Sequence, residues 1–230
     1  MKKIIIIFIC LLLVVGCGKA KPNSTGSNTS TGTNTQSSST GSNPQISSTE
    51  LEKNIVTSGA VSKRGKLIVF ATNNNKVAVD MDFEVEFYDA SGTIVGSASE
   101  DLNGVGPGAE VAVEMYSTPD NWDNYKIYVD VENTYYKTYF GKLNITHSNN
   151  KKEIAVQVTN NSEDIIEYIS VAVVYYQGET PVGIEDGFQD DIKPGRSANF
   201  NISYDYDKKY NDVRFDSYKV FVTEAYSYEE

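Results

Sequence analysis

The chain has 230 residues, 20 of them basic and 31 acidic, for a net charge of −11. The first 49 residues hold four lysines (Lys2, Lys3, Lys19, Lys21) and no acid, so residues 50–230 carry −15; such a body repels phosphate backbones, which excludes nucleic acid as a partner. Both cysteines, Cys10 and Cys17, lie near the N-terminus and His147 is the one histidine, so the body has no disulfide framework, no thiol chemistry and no site built from several imidazoles.

Met1-Lys2-Lys3 is a short basic start, and Ile4 to Val15 is an unbroken apolar run. As a helix that run rises about 18 Å, well short of the roughly 30 Å hydrocarbon core, so it reads as a secretory signal and not as a membrane span. The residues that follow, Val14-Val15-Gly16-Cys17, resemble the lipobox of bacterial lipoproteins. The resemblance implies that residues 1–16 are a cleaved signal peptide and that Cys17 carries diacylglycerol, its new amino group usually being acylated or otherwise modified. The mature protein is then expected on the extracytoplasmic face of the cell membrane, lipid-anchored and with no other cofactor. Two or more acyl chains hold a protein on a bilayer stably.

From Asn23 to Thr49 every residue except Ile46 is Ser, Thr, Asn, Gly, Gln or Pro. Such a segment buries too little apolar surface to offset its ordering entropy, so residues 17–49 are expected to be a disordered tether with a reach of about 30 Å.

The body repeats itself. Displaced by 87 residues, Thr72-Asn73-Asn74 falls on Thr159-Asn160-Asn161, Tyr88 on Tyr175, Val95-Gly96 on Val182-Gly183 and Pro107-Gly108 on Pro194-Gly195. Tyr125–Val129 matches Tyr218–Val222 at a displacement of 93, which places six extra residues in a late loop of the second copy. The copies divide near Thr134 into residues 50–134 and 135–230. In the first, β-branched and aromatic runs between turn signals predict strands near 54–58, 66–72, 79–89, 93–102, 109–116 and 125–133. In the second they fall near 139–146, 152–159, 165–176, 181–190, 197–204 and 216–225. This is the pattern of an all-β chain with two tandem immunoglobulin-like β-sandwiches.

The clearest strand is Asp80-Met-Asp-Phe-Glu-Val-Glu-Phe87, where Met81, Phe83, Val85 and Phe87 face the core and four carboxylates face water. Asn73-Asn74, then Val85-Glu-Phe-Tyr-Asp89 with Gly92 and Val95-Gly96, then Gly106-Pro107-Gly108, resemble the FxLYD-type immunoglobulin-like domain of bacterial envelope proteins. The second copy has Ala172, Val174 and Tyr175, with Tyr176 in place of the Asp. The matched residues shape turns and cores, so the resemblance implies a fold and carries no catalytic residue across.

At the 87-residue displacement Asp80, Asp82, Glu84 and Glu86 become Glu167, Ile169, Val171 and Val173. Either Ile169, Val171 and Val173 form an apolar interaction surface, against a partner or the first domain, or a bulge has moved the register by one and they are core. The tyrosines crowded near Tyr135, Tyr136 and Tyr139 and from Tyr204 to Tyr228 suit either an interface or a sandwich edge.

Chemistry has few places to reside. His147 lies in the polar stretch Thr146–Asn150, and no G-x-S-x-G motif is present. Zinc lacks its cysteine and histidine ligands. Oxygen-rich segments at Asp120–Asn124, Asp186–Asp191 (with Asp186, Asp190 and Asp191) and Asp205–Asp207 are the calcium candidates, none with EF-hand spacing. A metal is therefore not expected. The expected function is a non-catalytic binding or structural role in the cell envelope, with an envelope protein or cell-wall polymer as partner. The alternative is an accessory or hydrolytic factor acting on wall glycan through paired carboxylates.

Overall fold

Strict alternation in Asp80–Phe87 produces the strand it predicts, with Met81, Phe83, Val85 and Phe87 buried beneath a charged outer face. The computed structural model describes residues 46–228, all within one compact unit. The lipobox, Cys17 and the tether up to residue 45 lie outside the described residues.

In chain order the elements are α1 (Ser48–Glu52), β1 (Ile55–Val61), β2 (Leu67–Asn73), β3 (Val79–Tyr88), β4 (Ile94–Val105), β5 (Glu110–Met115), β6 (Asn124–Asn133), β7 (Tyr136–Thr138), a 3-10 turn at Phe140–Lys142, β8 (Leu143–Asn149), β9 (Glu153–Asn160), β10 (Ile166–Gln177), β11 (Thr180–Ile192), β12 (Ser197–Ser203) and β13 (Ser217–Tyr228). They form four antiparallel sheets: sheet I, β4-β3-β6; sheet II, β1-β2-β5; sheet III, β11-β10-β13-β7; and sheet IV, β12-β9-β8. The chain is all-β and of sandwich type. Strands up to Asn133 pair only among themselves, as do those from Tyr136 on, and the second set repeats the pairing order of the first with β7 added beside β13.

Three apolar clusters order the sheets. One lies between sheets I and II, around Phe83, Phe87, Leu67 and Met115. A second lies between sheets III and IV, around Ile169, Val171, Tyr175 and Ile154. The third joins Ile68 and Ala112 of sheet II to Ala172, Val174, Ile184 and Phe221 of sheet III. The layers therefore run I, II, III, IV, and the two inner sheets are covered on both faces. Strands of this kind need apolar residues on both sides, which is why Leu67–Ala71 and Ile169–Tyr175 contain no charge.

The asymmetry between the copies now has its cause. Val79 and Met81 keep period two, whereas their counterparts Ile166 and Ile169 are three apart, so one extra residue has entered β10. The first copy instead places its irregularity on the partner strand, where Val79 pairs Val105 and Met81 pairs Leu102, with Gly104 at a φ of 62°. Ile169, Val171 and Val173 are consequently core, 0–1 % exposed. They are not an interaction surface, and the opposite face of β10 meets sheet II.

Several boundaries differ from expectation: β7 is an added strand, and β4 and β13 each run three residues further than expected, to Val105 and Tyr228. Ile46, the lone apolar residue of the tether, packs against the first core, and its carbonyl accepts from Asn133 Nδ2 at 2.5 Å. The last tether residues thus belong to the folded body, and α1 begins at Ser48 because Leu51 is fully buried there. The strand expected at 139–146 runs instead over Leu143–Asn149. Tyr139 is drawn into the second core, its hydroxyl 2.7 Å from Ser227 Oγ, and the 3-10 turn follows it.

Candidate functional site

The buried carboxylates of the described residues, Glu114, Asp205 and Glu224, lie where sheets II and III meet. The hairpin between β1 and β2 projects Arg64 across the layer boundary. Its Nη2 donates to Glu114 Oε2 at 2.6 Å, its Nη1 to Glu185 Oε1 at 3.2 Å, and Nη1 lies 3.4 Å from Asp205 Oδ1. The guanidinium also lies over the Tyr206 ring, 4.7 Å from its centre. One cation thus serves three carboxylates. Asp205 is fully buried and is fixed by the backbone N–H groups of Ile184 and Tyr206, at 3.1 and 2.6 Å.

Further links surround the apolar centre in which Phe70 and Phe221 meet at 6.1 Å. Tyr116 donates to Asp186 at 2.6 Å, the Asn103 backbone N–H donates to Glu224 at 2.8 Å, and the Lys63 N–H donates to the Val182 carbonyl at 2.7 Å. Lys219 pairs with Glu110 at the margin. An apolar centre with a polar margin is the anatomy of a specific interface.

Beside this network is a cavity of about 150 Å³ whose walls include Glu100, Glu114, Asp186, Glu224, Tyr116 and Tyr168. Burial pushes Glu224 up to about 7 against the opposing Asn103 hydrogen bonds, and burial together with the Asp205 charge pushes Glu185 up to about 7. Burial also raises Glu100 and Glu114, the latter despite Arg64. For Arg64 burial works the other way, but the Glu114 hydrogen bond and the charges of Glu114 and Asp205 outweigh it and hold the guanidinium protonated. Carboxylates raised this far are uncommon outside functional sites and buried ion-pair networks.

Asp186 is the one calcium candidate of β11 that belongs to this site. Four residues along a strand separate it from Asp190 by about 13 Å, so the three do not converge on one ion. Among the described residues no three acidic, histidine or cysteine side chains are grouped to hold a metal. Asp205 belongs to the Arg64 network, whereas Asp207 caps a turn by accepting from the N–H groups of Lys209 and Asn211. In the Asp120–Asn124 segment Trp122 packs on Phe87 at 5.2 Å. His147 stands at an exposed edge with Nδ1 3.0 Å from the Tyr218 hydroxyl.

Sequence reasoning did not find Arg64, Glu114 or Glu224. The available signal was the placement of Glu114 and Glu224 within otherwise apolar strands, Val111–Met115 and Val220–Ala225. A surface depression of about 620 Å³ at Tyr88, Asp89 and Asp123–Lys126 lies elsewhere. Its Asp89 is occupied in a turn, accepting from the N–H groups of Ser91 and Thr93. In comparison with known proteins, no family model matches the chain and no curated protein is significantly similar to it.

Proposed function

We propose that the chain is a bacterial lipoprotein, held on the extracytoplasmic face of the cell membrane by diacylglycerol on Cys17, with a non-catalytic binding or structural role in the cell envelope. Its two halves are read as tandem FxLYD-type immunoglobulin-like sandwiches, residues 50–134 and 135–230, on a tether that lets them stand off the bilayer. The observation that carries the reading is the joining of the two sheet pairs through a buried, ion-paired layer boundary, which makes one stiff body of the repeats. A stiff body on a flexible, lipid-anchored stalk is suited to presenting a surface. Lys19 and Lys21, beside the lipid, are placed to meet anionic headgroups.

The partner on this reading is an envelope protein or cell-wall polymer. The four carboxylates of the cavity favour a second reading, an accessory or hydrolytic factor for wall glycan. Its volume weighs against that reading, because small-molecule sites usually offer about 300–1,000 Å³, twice this cavity or more.

The test is metabolic labelling with palmitate, membrane fractionation and mass spectrometry of the mature N-terminus. Wild type is expected in the membrane with a lipidated Cys17, and Cys17→Ser as an unlabelled precursor. An unmodified wild-type N-terminus overturns the anchoring. Release of soluble sugar from purified sacculi, lost in Glu224→Gln, overturns the non-catalytic role.

A further inference from the structure

The outward face of sheet IV is a surface of a single chemistry, apart from the ion-paired boundary between sheets II and III. We propose that it binds an uncharged glycan strand, a chain of sugars bearing hydroxyl and acetamido groups, across the centre of β8, β9 and β12. This deepens the reading of the chain as a non-catalytic binding protein, and rests on it, by naming the cell-wall polymer as a neutral polysaccharide.

Strand register builds the face. Ile154, Val156 and Val158 of β9 and Ala198, Phe200 and Ile202 of β12 turn into the second core, so the residues between them turn outward. Pairing aligns these in rows across the three strands, Ser148–Ala155–Asn201 and Thr146–Gln157–Asn199. Ala155 has the smallest side chain of the six. Around it lies a depression of about 420 Å³ whose lining residues include no Asp, Glu, Lys or Arg. That volume falls within the roughly 300–1,000 Å³ usual for small-molecule sites.

The repeat identifies this as a docking face. Displaced by 87 residues, Ala155, Gln157 and Asn199 fall on Ile68, Phe70 and Ala112, the side chains by which sheet II packs on sheet III. In the second copy the same face is open, and its large apolar side chains have given way to amides and one methyl. Protein interfaces centre on apolar and aromatic side chains, so the change turns the face away from a protein partner. Ending the stack of layers requires only polarity, and sheet I supplies it with charge: Asp82, Glu84 and Glu86 face outward with Asp101 and Asp130 beside them. The central rows of sheet IV carry no charge at all, in a body of −15. A neutral ligand accounts for that difference, because a carboxylate covered by an uncharged partner loses its water without compensation.

Hydrogen-bonding capacity selects the ligand class. A side-chain amide offers two donors and an acceptor, and a hydroxyl offers both roles; sugar hydroxyl and acetamido groups present the same two kinds. Gln157 Nε2 donates to Asn199 Oδ1 at 2.9 Å, and the Thr159 and Ser197 hydroxyls meet at 2.9 Å, so part of the array is held in place in advance. Thr146, Ser148 and Asn201 are exposed. Short side chains on paired strands lose less rotamer entropy than long charged ones. Ala155 gives an acetamido methyl an apolar floor.

The experiment is titration calorimetry on the full chain in detergent with the soluble tetramer of β-1,4-linked N-acetylglucosamine, at about 0.05 M and about 0.5 M salt. One saturable site is expected, with nearly the same affinity at both salt concentrations because face and probe are uncharged. Asn201→Ala, and Ala155→Ile, which installs the residue the first copy carries at this place, should each weaken binding about tenfold, the worth of one or two hydrogen bonds. Both should leave the melting temperature unchanged, and Ser99→Ala on the face of sheet I should leave binding intact. Absence of binding to the tetramer, an affinity unchanged in both sheet IV variants, or an equal loss in Ser99→Ala overturns the site. Displacement of the tetramer by polyphosphate overturns it in favour of an anion site. A dimer of the full chain in sedimentation, lost in Ala155→Ile, overturns it in favour of a contact between copies. Palmitate labelling of Cys17 reports separately on the anchoring, so failure of either reading is visible without the other.

Discussion

Asn73 and Asn160, 87 residues apart, occupy the same position in the two halves of the chain and hold them together in the same way. Asn73 Nδ2 donates to the carbonyls of Val77, Val105 and Gly106 at 2.9–3.1 Å, and Asn160 Nδ2 donates to those of Asp164 and Ile192 at 2.8 and 2.7 Å. Each Oδ1 accepts from the N–H two residues on, Asn75 at 2.9 Å and Ser162 at 2.8 Å. Each therefore ties the end of the central strand of its three-stranded sheet to the loop that crosses to the other sheet.

Both asparagines are fully buried, so replacing either by alanine leaves several backbone groups without partners. A loss of about 2–4 kcal/mol is expected for Asn73→Ala and for Asn160→Ala. Chemical denaturation of each variant measures it. Aspartate at either position should fare no better, because it keeps the acceptor and loses the donor that reaches the crossing loop.

Among the described residues Arg64 is the one cation within ion-pair distance of Glu114, Glu185 and Asp205, and the first and last of these are nearly or fully out of water. Arg64→Met leaves buried charge uncompensated and is expected to cost about 3–5 kcal/mol. Adding Glu114→Gln should recover part of that loss, and the coupling read from the double-mutant cycle separates a true pair from simple loss of packing. Equal losses from Arg64→Met with and without Glu114→Gln would show that the charge is not the cause.

The raised carboxylates set a pH dependence of definite sign. Glu185 and Glu224 titrate near 7 in the folded protein against an ordinary 4.5, so the folded state binds more protons than the unfolded state between those limits. Their contribution is complete below about pH 4.5 and is lost as the pH rises through 7. Each is worth of the order of 1–3 kcal/mol, and Glu100, Glu114 and Asp205, also raised by burial, act in the same direction. The melting temperature should be several degrees higher near pH 5 than near pH 8. Glu224→Gln should flatten the profile, chiefly by raising its alkaline side.

Much of this arrangement is legible in the order of the residues alone. The 87-residue repeat carries Asn73 onto Asn160, and the alternation of Asp80–Phe87 gives both the strand and its buried face. The strand spans follow, because apolar periodicity and turn residues are local properties. Which sheets are inner layers is also written, in strands that carry apolar residues on both faces, Leu67–Ala71 and Ile169–Tyr175, but those runs are equally compatible with a sandwich of looser register. Arg64 is different in kind. It is one cation in a polar hairpin, and only the stacking of sheet II on sheet III brings it to Glu185 and Asp205, 121 and 141 residues away. The register change in β10 is a single residue, which moves every side chain of a strand to the other face while leaving the composition untouched.

That register change supports a paired test of the layer order. Ile169 faces the core between sheets III and IV, and Val174 faces sheet II beside Phe221 and Ile68. An aspartate at either site buries an unpaired charge, but the structure can escape in only one case. Ile169→Asp has no exit except unfolding of the second sheet pair, at a loss above about 4 kcal/mol. Val174→Asp can be relieved by parting sheets II and III, since each sheet pair keeps its own core. The expected result is loss of half the β-signal for Ile169→Asp. For Val174→Asp the signal should be nearly unchanged, with a larger radius of gyration and new protease cleavage near Thr134 and Tyr135. If Val174→Asp unfolds the whole chain in one transition, the two sheet pairs are a single cooperative unit. If Ile169→Asp leaves the fold intact, the register assigned to β10 is wrong.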